Sequence, residues 1–547
     1  MAQTQDWWRH AVIYQIYPRS FQDDNCDGAG DLRGITRRLD HVASLGVDAI
    51  WLSPIFTSPM KDMGYDVSDY CDIDPSFGTL ADFDALVARA HELGLKVILD
   101  QVYSHSSDQH PFFKESRASR DNPRADWYVW ADAKPDGTPP NNWQSIFGGA
   151  AWTWDARRRQ YYFHNFLKEQ PDLNLHNPEV QDWIISVLRF WLHRGVDGFR
   201  LDAINHICHD QKLRDNPVDK RPKSEPDVKT YDMQYPIHSK NQPEALALME
   251  RLRAVLDEYD DRAFIGEIGE AHHPAEVLIQ YTSGKRLHMA YNTALMASEF
   301  TPAHVAREIS AIIHDPRGGW PCWAFSNHDV ARHVTRWAEH AVSEDAFARL
   351  TATLLLCLPG SVCIYQGEEL GLAQAQLDYH ELVDPEGLVF WPENPGRDGA
   401  RTPMPWSASE PHGGFSQAPK TWLPLKPPHM ARACDLQETD RSSLLHFYRQ
   451  IIALRRATPA LNSLETAFLD MPEDILGLRR GADLMCIFNF SHQRVTIKHA
   501  EFEHITIADT LLAERVEWST DGDLILEGNA FAILFGRTEC ADGRHVI

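Results

Sequence analysis

Four short stretches end apolar runs with side chains that can move protons or attack carbon. "ILDQVYSH" carries Asp100 and His105, "GFRLDAINH" carries Arg200 and Asp202, "AFIGEIGE" carries Glu267 and Glu270, and "FSNHD" carries His328 and Asp329. A single Asp among 78 acidic residues reads as a surface charge. Three acids that each follow a buried-type run form a different pattern, one suited to general acid–base or nucleophilic work. Arg200 and Asp202 are two apart, so on a strand both face one side, and an arginine beside a carboxylate favours its ionised form. Glu267 and Glu270 are three apart and face opposite sides. Only one of them can join the other acids, which leaves Glu270 as a loop residue beside the mouth.

The elements that must position these residues repeat one rhythm. "SLGVDAIWLSP" (44–54), "ELGLKVILDQV" (92–102) and "HRGVDGFRLDA" (193–203) each place a Gly between a helical segment and an apolar strand. Asn177, Pro178 and Gly195 cap, open and stop the helix that precedes the third. "AVIYQIYP", "AFIGEI", "LHMAYN", "CWAFSNHD" and "GSVCIYQG" bring the count to eight strands. Strands that are apolar throughout and alternate with helices are buried and parallel. Eight such units predict a closed (β/α)8 TIM barrel, with chemistry at the carboxyl ends of its strands.

Two interruptions and a tail break that rhythm. The predicted organisation is a first barrel part over 1–104, an inserted B subdomain over 105–174 after strand three, and a second barrel part over 175–460. The second part includes a Pro- and Gly-rich excursion over 375–430. A C-terminal antiparallel β-sandwich domain is expected over 461–547, where short apolar strands alternate with turn residues.

Composition narrows the class. The chain has 547 residues, 43% hydrophobic and 24% charged, with a formal net charge of -25. So acidic a chain repels phosphate backbones, which argues against a nucleic-acid partner. Its nine cysteines show no CxxC spacing, so a reducing compartment without disulfides or a zinc site is expected. The N-terminus lacks the build of a secretion signal and no apolar run is long enough for a membrane span, so a cytoplasmic location is expected.

Seven motifs in order resemble the α-amylase superfamily of glycoside hydrolases, within it the α-glucosidase and oligo-1,6-glucosidase branch: "AVIYQIYPRSF", "GYDVSDY", "QPDLNL", "GFRLDAI", "IGE", "SNHD" and "RDGARTPMPW". The resemblance runs over nearly the whole chain. It implies a barrel with a B domain and a C-terminal β-sandwich. It also implies Asp202 as nucleophile, Glu267 as general acid/base and Asp329 as the third carboxylate, which grips sugar hydroxyls. A retaining mechanism needs the first two about 5–5.5 Å apart. On this reading Arg200 keeps Asp202 charged, and burial raises the Glu267 carboxyl. By the same resemblance His105 and His328 bind glucose hydroxyls and Tyr65 stacks on the ring. Asp62 and Arg397 close the pocket around the non-reducing end. Phe147 and Phe166 flank the mouth or fill a core. Ala203, a small residue after the nucleophile, implies a preference for α-1,4 over α-1,6 bonds.

The loop "DDNCDGAGD" offers Asp23, Asn25, Asp27, Ala29 and Asp31, with Gly28 at the bend. Alternating oxygens of this kind wrap a hard cation, and a structural Ca2+ or Mg2+ is expected. Position twelve is Gly34 rather than a bidentate Glu, so the loop is no EF-hand; an acidic turn without metal is the competing reading. No organic cofactor is expected. Two departures stand out: Ser104 where the family carries Asn before the histidine, and Pro405 where it commonly has Gln.

The sequence thus points to a retaining, exo-acting α-glucosidase for short α-glucosides such as maltose, with transglucosylation to hydroxyl acceptors. A dedicated glucosyl-transferring enzyme shares every motif. A sucrose isomerase is disfavoured because no arginine-rich "RLDRD" type of loop occurs. A catalytically inactive binding relative would have lost one of the three acids. A monomer and a homodimer are both compatible with the sequence.

Overall fold

The computed structural model describes residues 6–222, 227–498 and 505–538. The first five residues, Cys540 and the end of the predicted C-terminal domain lie outside them. Eight parallel strands form one sheet: Val12–Ile16, Ala49–Leu52, Lys96–Gln101, Gly198–Leu201, Ala263–Ile268, Met289–Asn292, Cys322–Trp323 and Ser361–Tyr365. In that numbering the hydrogen-bonded order is 6-5-4-3-2-1-8-7. The ring closes between strands six and seven through a bridge from Ala290 to Pro321, where the Ala290 N–H donates to the Trp320 carbonyl at 3.2 Å. All eight strands anticipated from the sequence are present.

Strand residues alternate between two buried environments, which is why the strands are apolar on both faces. Ile13, Trp51, Ile98, Ile265 and Met289 fill the barrel interior. Val12, Tyr14, Leu52, Leu99 and Phe199 face outward into the layer beneath the helices. The helix Pro178–His193 shows how sequence sets an element. The Asn177 side chain accepts the Glu179 N–H, Pro178 occupies the first turn, and Gly195 leaves it at a φ of 89°. Val180, Ile184, Val187, Leu188 and Trp191 recur at helical spacing and form its buried face.

Loops at the carboxyl ends of the strands are long where the site is built. Between strand three and its helix lies a small antiparallel sheet of Trp130–Ala131, Gln160–Phe163 and Trp152–Asp155. Strand eight is separated from its helix, Leu444–Ala457, by a winding segment of short helical turns. The loop from strand four to the helix Pro243–Leu256 is also long, which the sequence did not single out.

Beyond the last barrel helix, six strands make an antiparallel sheet. Its longest members, Ile505–Trp518 and Leu524–Thr538, pair along their length with three register shifts. Leu476, Leu478, Cys486, Phe488, Phe531 and Ile533 of this sheet belong to the same apolar core as the barrel helices. No helix among the described residues is long and apolar enough to cross a membrane.

Candidate active site

The barrel register sets the acids at one level. Asp100 on strand three lies beside Arg200 on strand four, and Glu267 on strand five lies beside Tyr291 on strand six. Arg200 is fully buried. Its Nη1 donates to both Asp100 oxygens at 2.8 and 3.0 Å and to Asp202 Oδ1 at 2.5 Å. Its Nη2 meets Glu267 Oε2 at 2.6 Å and, with Nε, donates to the Tyr291 hydroxyl at 2.7 and 3.1 Å. Asp202 and Glu267 are therefore held on the two amino nitrogens of one planar guanidinium. A rigid fork of that size keeps their near oxygens within a few ångströms.

One cation serving three acids cannot neutralise all of them. Burial raises the Asp202 carboxyl to about 7, with Arg200 opposing and Asp100 and Asp329 adding to the rise. Burial likewise raises Glu267 to about 7, opposed by Arg200 and assisted by Asp202 and Asp329. The rise at Glu267 follows the sequence reading. Arg200 pulls the Asp202 carboxyl down, as the sequence reading has it, but its guanidinium is divided among Asp100, Asp202 and Glu267 and burial works against it. At neutral pH the pair retains a proton.

Asp329 takes the opposite course. Arg401 Nη2 meets its Oδ1 at 2.9 Å, Arg397 Nη1 at 3.3 Å, and His328 Nε2 lies 3.3 Å from Oδ2. Burial opposes its charge, but His328 and the two arginines outweigh burial and hold its carboxyl well below the usual range. It stays a carboxylate, able to accept hydroxyl protons.

Around these acids lies a cavity of about 190 Å³. Asp62, Tyr65, His105, Phe147, Phe166 and Arg397 line it, together with Asp202, Glu267 and Asp329. The pairing of Asp62 with Arg397 is present at 2.7 Å, although the two are 335 residues apart. Asp384 braces the same guanidinium at 2.7 and 3.1 Å. Phe147 lies under Arg397, 4.8 Å from its ring centre, and packs against Phe166 at 5.9 Å. Both phenylalanines face the cavity rather than a core.

His328 and Arg200 are not among the residues lining this cavity. Both are fully buried and act through the residues in front of them. Gln15 Nε2 is 2.8 Å from His328 Nδ1, and Tyr65 OH is 2.5 Å from Nε2. Gln15 can only donate there, so the ring proton sits on Nε2, toward Tyr65 and Asp329. The Tyr65 hydroxyl donates in turn to Asp100 at 3.2 Å. The Tyr65 and His328 rings stack at 5.4 Å and 7°. His105 is held by the Tyr65 carbonyl and by Gln170, each at 3.1 Å. Ser104, the departure from the family pattern, supports His105 directly: its hydroxyl is 2.9 Å from Nδ1. Burial lowers His105 to about 4, so its ring is neutral at pH 7.

Ala203 has a left-handed backbone, φ 41° and ψ 42°, unusual for a residue with a Cβ. The twist aims its N–H at Glu267 Oε2, at 3.0 Å. Glu270 is no loose loop residue. It is buried and accepts from Asn241 Nδ2 at 2.5 Å and the His272 N–H at 2.6 Å, with Lys240 Nζ 3.4 Å away. His206, Glu386 and Ile146 also line the cavity, and the sequence reading missed all three. Glu386 is paired with Lys229, so loops after strands four and eight meet above the site.

The acidic loop winds around its own backbone. Asp31 Oδ2 accepts the Asp24 and Asn25 N–H groups, Asp23 accepts those of Cys26 and Gly28, and Asp27 accepts that of Ala29. Gly28 has φ 96°, and a Cβ there would stand 2.2 Å from the Lys420 carbonyl oxygen. The oxygen donors suit a hard cation. Among the described residues, however, no group of three His, Cys, Asp or Glu side chains is arranged to hold a metal ion.

Comparison with known proteins places this geometry. Residues 15–463 match the family model described as alpha amylase, catalytic domain. The chain is 56% identical over 500 residues to a probable alpha-glucosidase of Rhizobium meliloti, covering 90% of each chain. It is 39% identical to an oligo-1,6-glucosidase of Heyndrickxia coagulans, covering 83% of this chain and 85% of that one. Among solved structures, an alpha-glucosyl transfer enzyme superposes with a TM-score of 0.92 at 48% identity, over 98% of this chain and all of the other. A trehalulose synthase does so with a TM-score of 0.87 at 31% identity, over 97% of this chain and all of the other.

Proposed function

Because this chain belongs to the alpha-amylase family of glycoside hydrolases, we propose that it is a retaining, exo-acting α-glucosidase. It would remove terminal glucose from short α-glucosides such as maltose. The observation that carries this reading is the fork of Arg200, which holds Asp202 and Glu267 on adjacent nitrogens. That closeness suits the about 5–5.5 Å spacing of retaining enzymes rather than the wider gap that admits a water between acid and base.

In the first step an Asp202 oxygen forms an ester bond to the anomeric carbon. The glycosidic bond breaks, and Glu267 gives its proton to the departing oxygen. In the second step Glu267 takes a proton from water, whose oxygen attacks the same carbon and releases Asp202. Asp329, His105 and Tyr65 would grip and stack the glucose. The Asp62–Arg397–Asp384 cluster would cap its non-reducing end, which favours cleavage one unit at a time. Ala203 keeps space beside the scissile bond, consistent with α-1,4 preference.

A second reading, dedicated glucosyl transfer, draws on the 48% identical transfer enzyme and on Phe147, Phe166 and Ile146, which offer an apolar mouth to an alcohol or sugar acceptor. A structural Ca2+ or Mg2+ would sit on Asp23, Asn25, Asp27, Asp31 and the Ala29 carbonyl. It would stiffen the loop after strand one and enter no chemical step. A cytoplasmic location accords with the eight described cysteines, all free thiols.

A product time course decides the main reading. Maltose, isomaltose, sucrose and maltotriose are supplied with and without an added alcohol, and the anomer is followed by NMR. Early release of α-glucose, fastest from maltose, is expected. β-Glucose as the first product excludes the retaining mechanism; glucosides with almost no free glucose identify a transferase.

A further inference from the structure

Away from the cavity, a cysteine, a histidine and a glutamate stand in a row. Cys434 Sγ lies 3.5 Å from His41 Nδ1, and His41 Nε2 lies 3.1 Å from Glu369 Oε1. Glu369 is fully buried. Its Oε1 also accepts the Tyr14 hydroxyl at 2.7 Å, and its Oε2 accepts the Gly367 N–H at 2.8 Å. Those contacts fix the carboxylate and so orient the imidazole. His41 is further clamped by Trp406, whose ring meets it edge-on at 5.1 Å, while Arg38 covers the other side of Trp406 at 4.4 Å.

The charges favour a proton on His41. Burial alone would lower it, but the bonds to Cys434 and Glu369 outweigh burial and raise it to about 9. A doubly protonated ring gives Nε2–H to Glu369 and points Nδ1–H at the sulfur. Arg38 adds positive field at Cys434. Glu410, near Arg38, and Glu438, near His41, are the acids that face the group from the solvent side. Cys434 itself is half-buried.

We propose that Cys434, His41 and Glu369 form a hydrogen-bonded cysteine–histidine–glutamate relay that makes Cys434 a site of covalent modification by small disulfides. The Cys434 sulfur attacks one sulfur of the reagent and forms a mixed disulfide. The reagent's S–S bond breaks, and its other half leaves as a thiolate that takes a proton from water. His41 is a positioning residue in this exchange.

The molecule carries its own controls. Cys26 is exposed, and Cys71 is half-buried with burial pushing its thiol up to about 11. Full-length protein is exposed to glutathione disulfide at pH 6.5, and adducts are mapped by peptide mass spectrometry over time. Cys434 is expected to react at least about tenfold faster than Cys26, with Cys71 silent. His41→Gln should bring Cys434 down to the rate of Cys26 at pH 6.5, and the two should converge near pH 9.5. The wild-type pH profile tests the same point if that variant misfolds. Cys434 should gain far less than Cys26 between pH 6.5 and 8.5. A Cys434 rate that climbs with pH in parallel with Cys26, or no adduct at Cys434, overturns the proposal.

Discussion

The acid/base role of Glu267 can be separated from simple damage to the pocket by the choice of leaving group. Glu267→Gln keeps a similar side-chain shape but has no proton to give. It should slow turnover of maltose by about 10²–10⁴-fold. p-Nitrophenyl α-glucoside, whose leaving group departs without help, should lose far less in the glucosyl-transfer step. Equal losses on both substrates would count against the assignment. Because burial lifts Asp202 and Glu267 both to about 7, the proton that Glu267 must donate is lost as pH rises through that value. kcat/KM for maltose should therefore fall above about pH 7, and in a single-turnover experiment on the aryl glucoside that limb should weaken. At this scale the sequence was legible where an acid ends an apolar run: Asp202, Glu267 and Asp329 stand out for that reason. Asp384, Arg401, Gln170 and Glu386 did not, because they lie in winding segments with no periodicity to mark which side faces inward.

Elements carry the second level of organisation. The turn after strand five is tied to the loop at 240–242 by Glu270, a residue that strand alternation excludes from the acid cluster and leaves in a loop, without showing that it is buried and partnered there. Periodicity reports which way a side chain points, not what another loop brings to meet it. Burial alone would raise the Glu270 carboxyl, yet Lys240, the His272 N–H and Asn241 outweigh it and bring it to about 2. Its folded value is depressed below the ordinary 4.5, so its stabilisation is complete above that pH and is lost as pH falls toward 2. Glu270→Gln leaves Lys240 buried without its partner. Loss of one member of a buried pair costs about 3–5 kcal/mol. A melting temperature several degrees lower at pH 7 is expected, with the difference from wild type shrinking toward pH 3. An unchanged melting curve would show that Asn241 and His272 suffice.

For the whole molecule, the barrel count and the change to an antiparallel sheet near the C-terminus could be read from the chain, since buried parallel strands and antiparallel ones differ in pattern, but not the strand lengths, two of which reach 14 and 15 residues. How the two regions join could not. Arg480, from the C-terminal sheet, donates to the Cys357 carbonyl of the barrel helix before strand eight, a contact that no local pattern announces. The loop at 23–31 poses a similar question, because its oxygens are already engaged by backbone N–H groups. Melting in EDTA and after return of Ca2+ or Mg2+ answers it. A drop of a few degrees that the ion reverses is expected, while coincident curves would leave the loop as an acidic turn.

The shared guanidinium of Arg200 has one further consequence. A chamber whose acids outnumber the cations facing them is a trap for small positive guests. Protonated amines of sugar-like shape should occupy it in competition with maltose. Their grip should tighten as the pH is raised from 5 to 7 and the Asp202–Glu267 pair sheds its protons, as long as the amine itself stays charged. A competitive inhibition constant measured across that range would show whether the chamber carries the surplus negative charge that its chemistry requires.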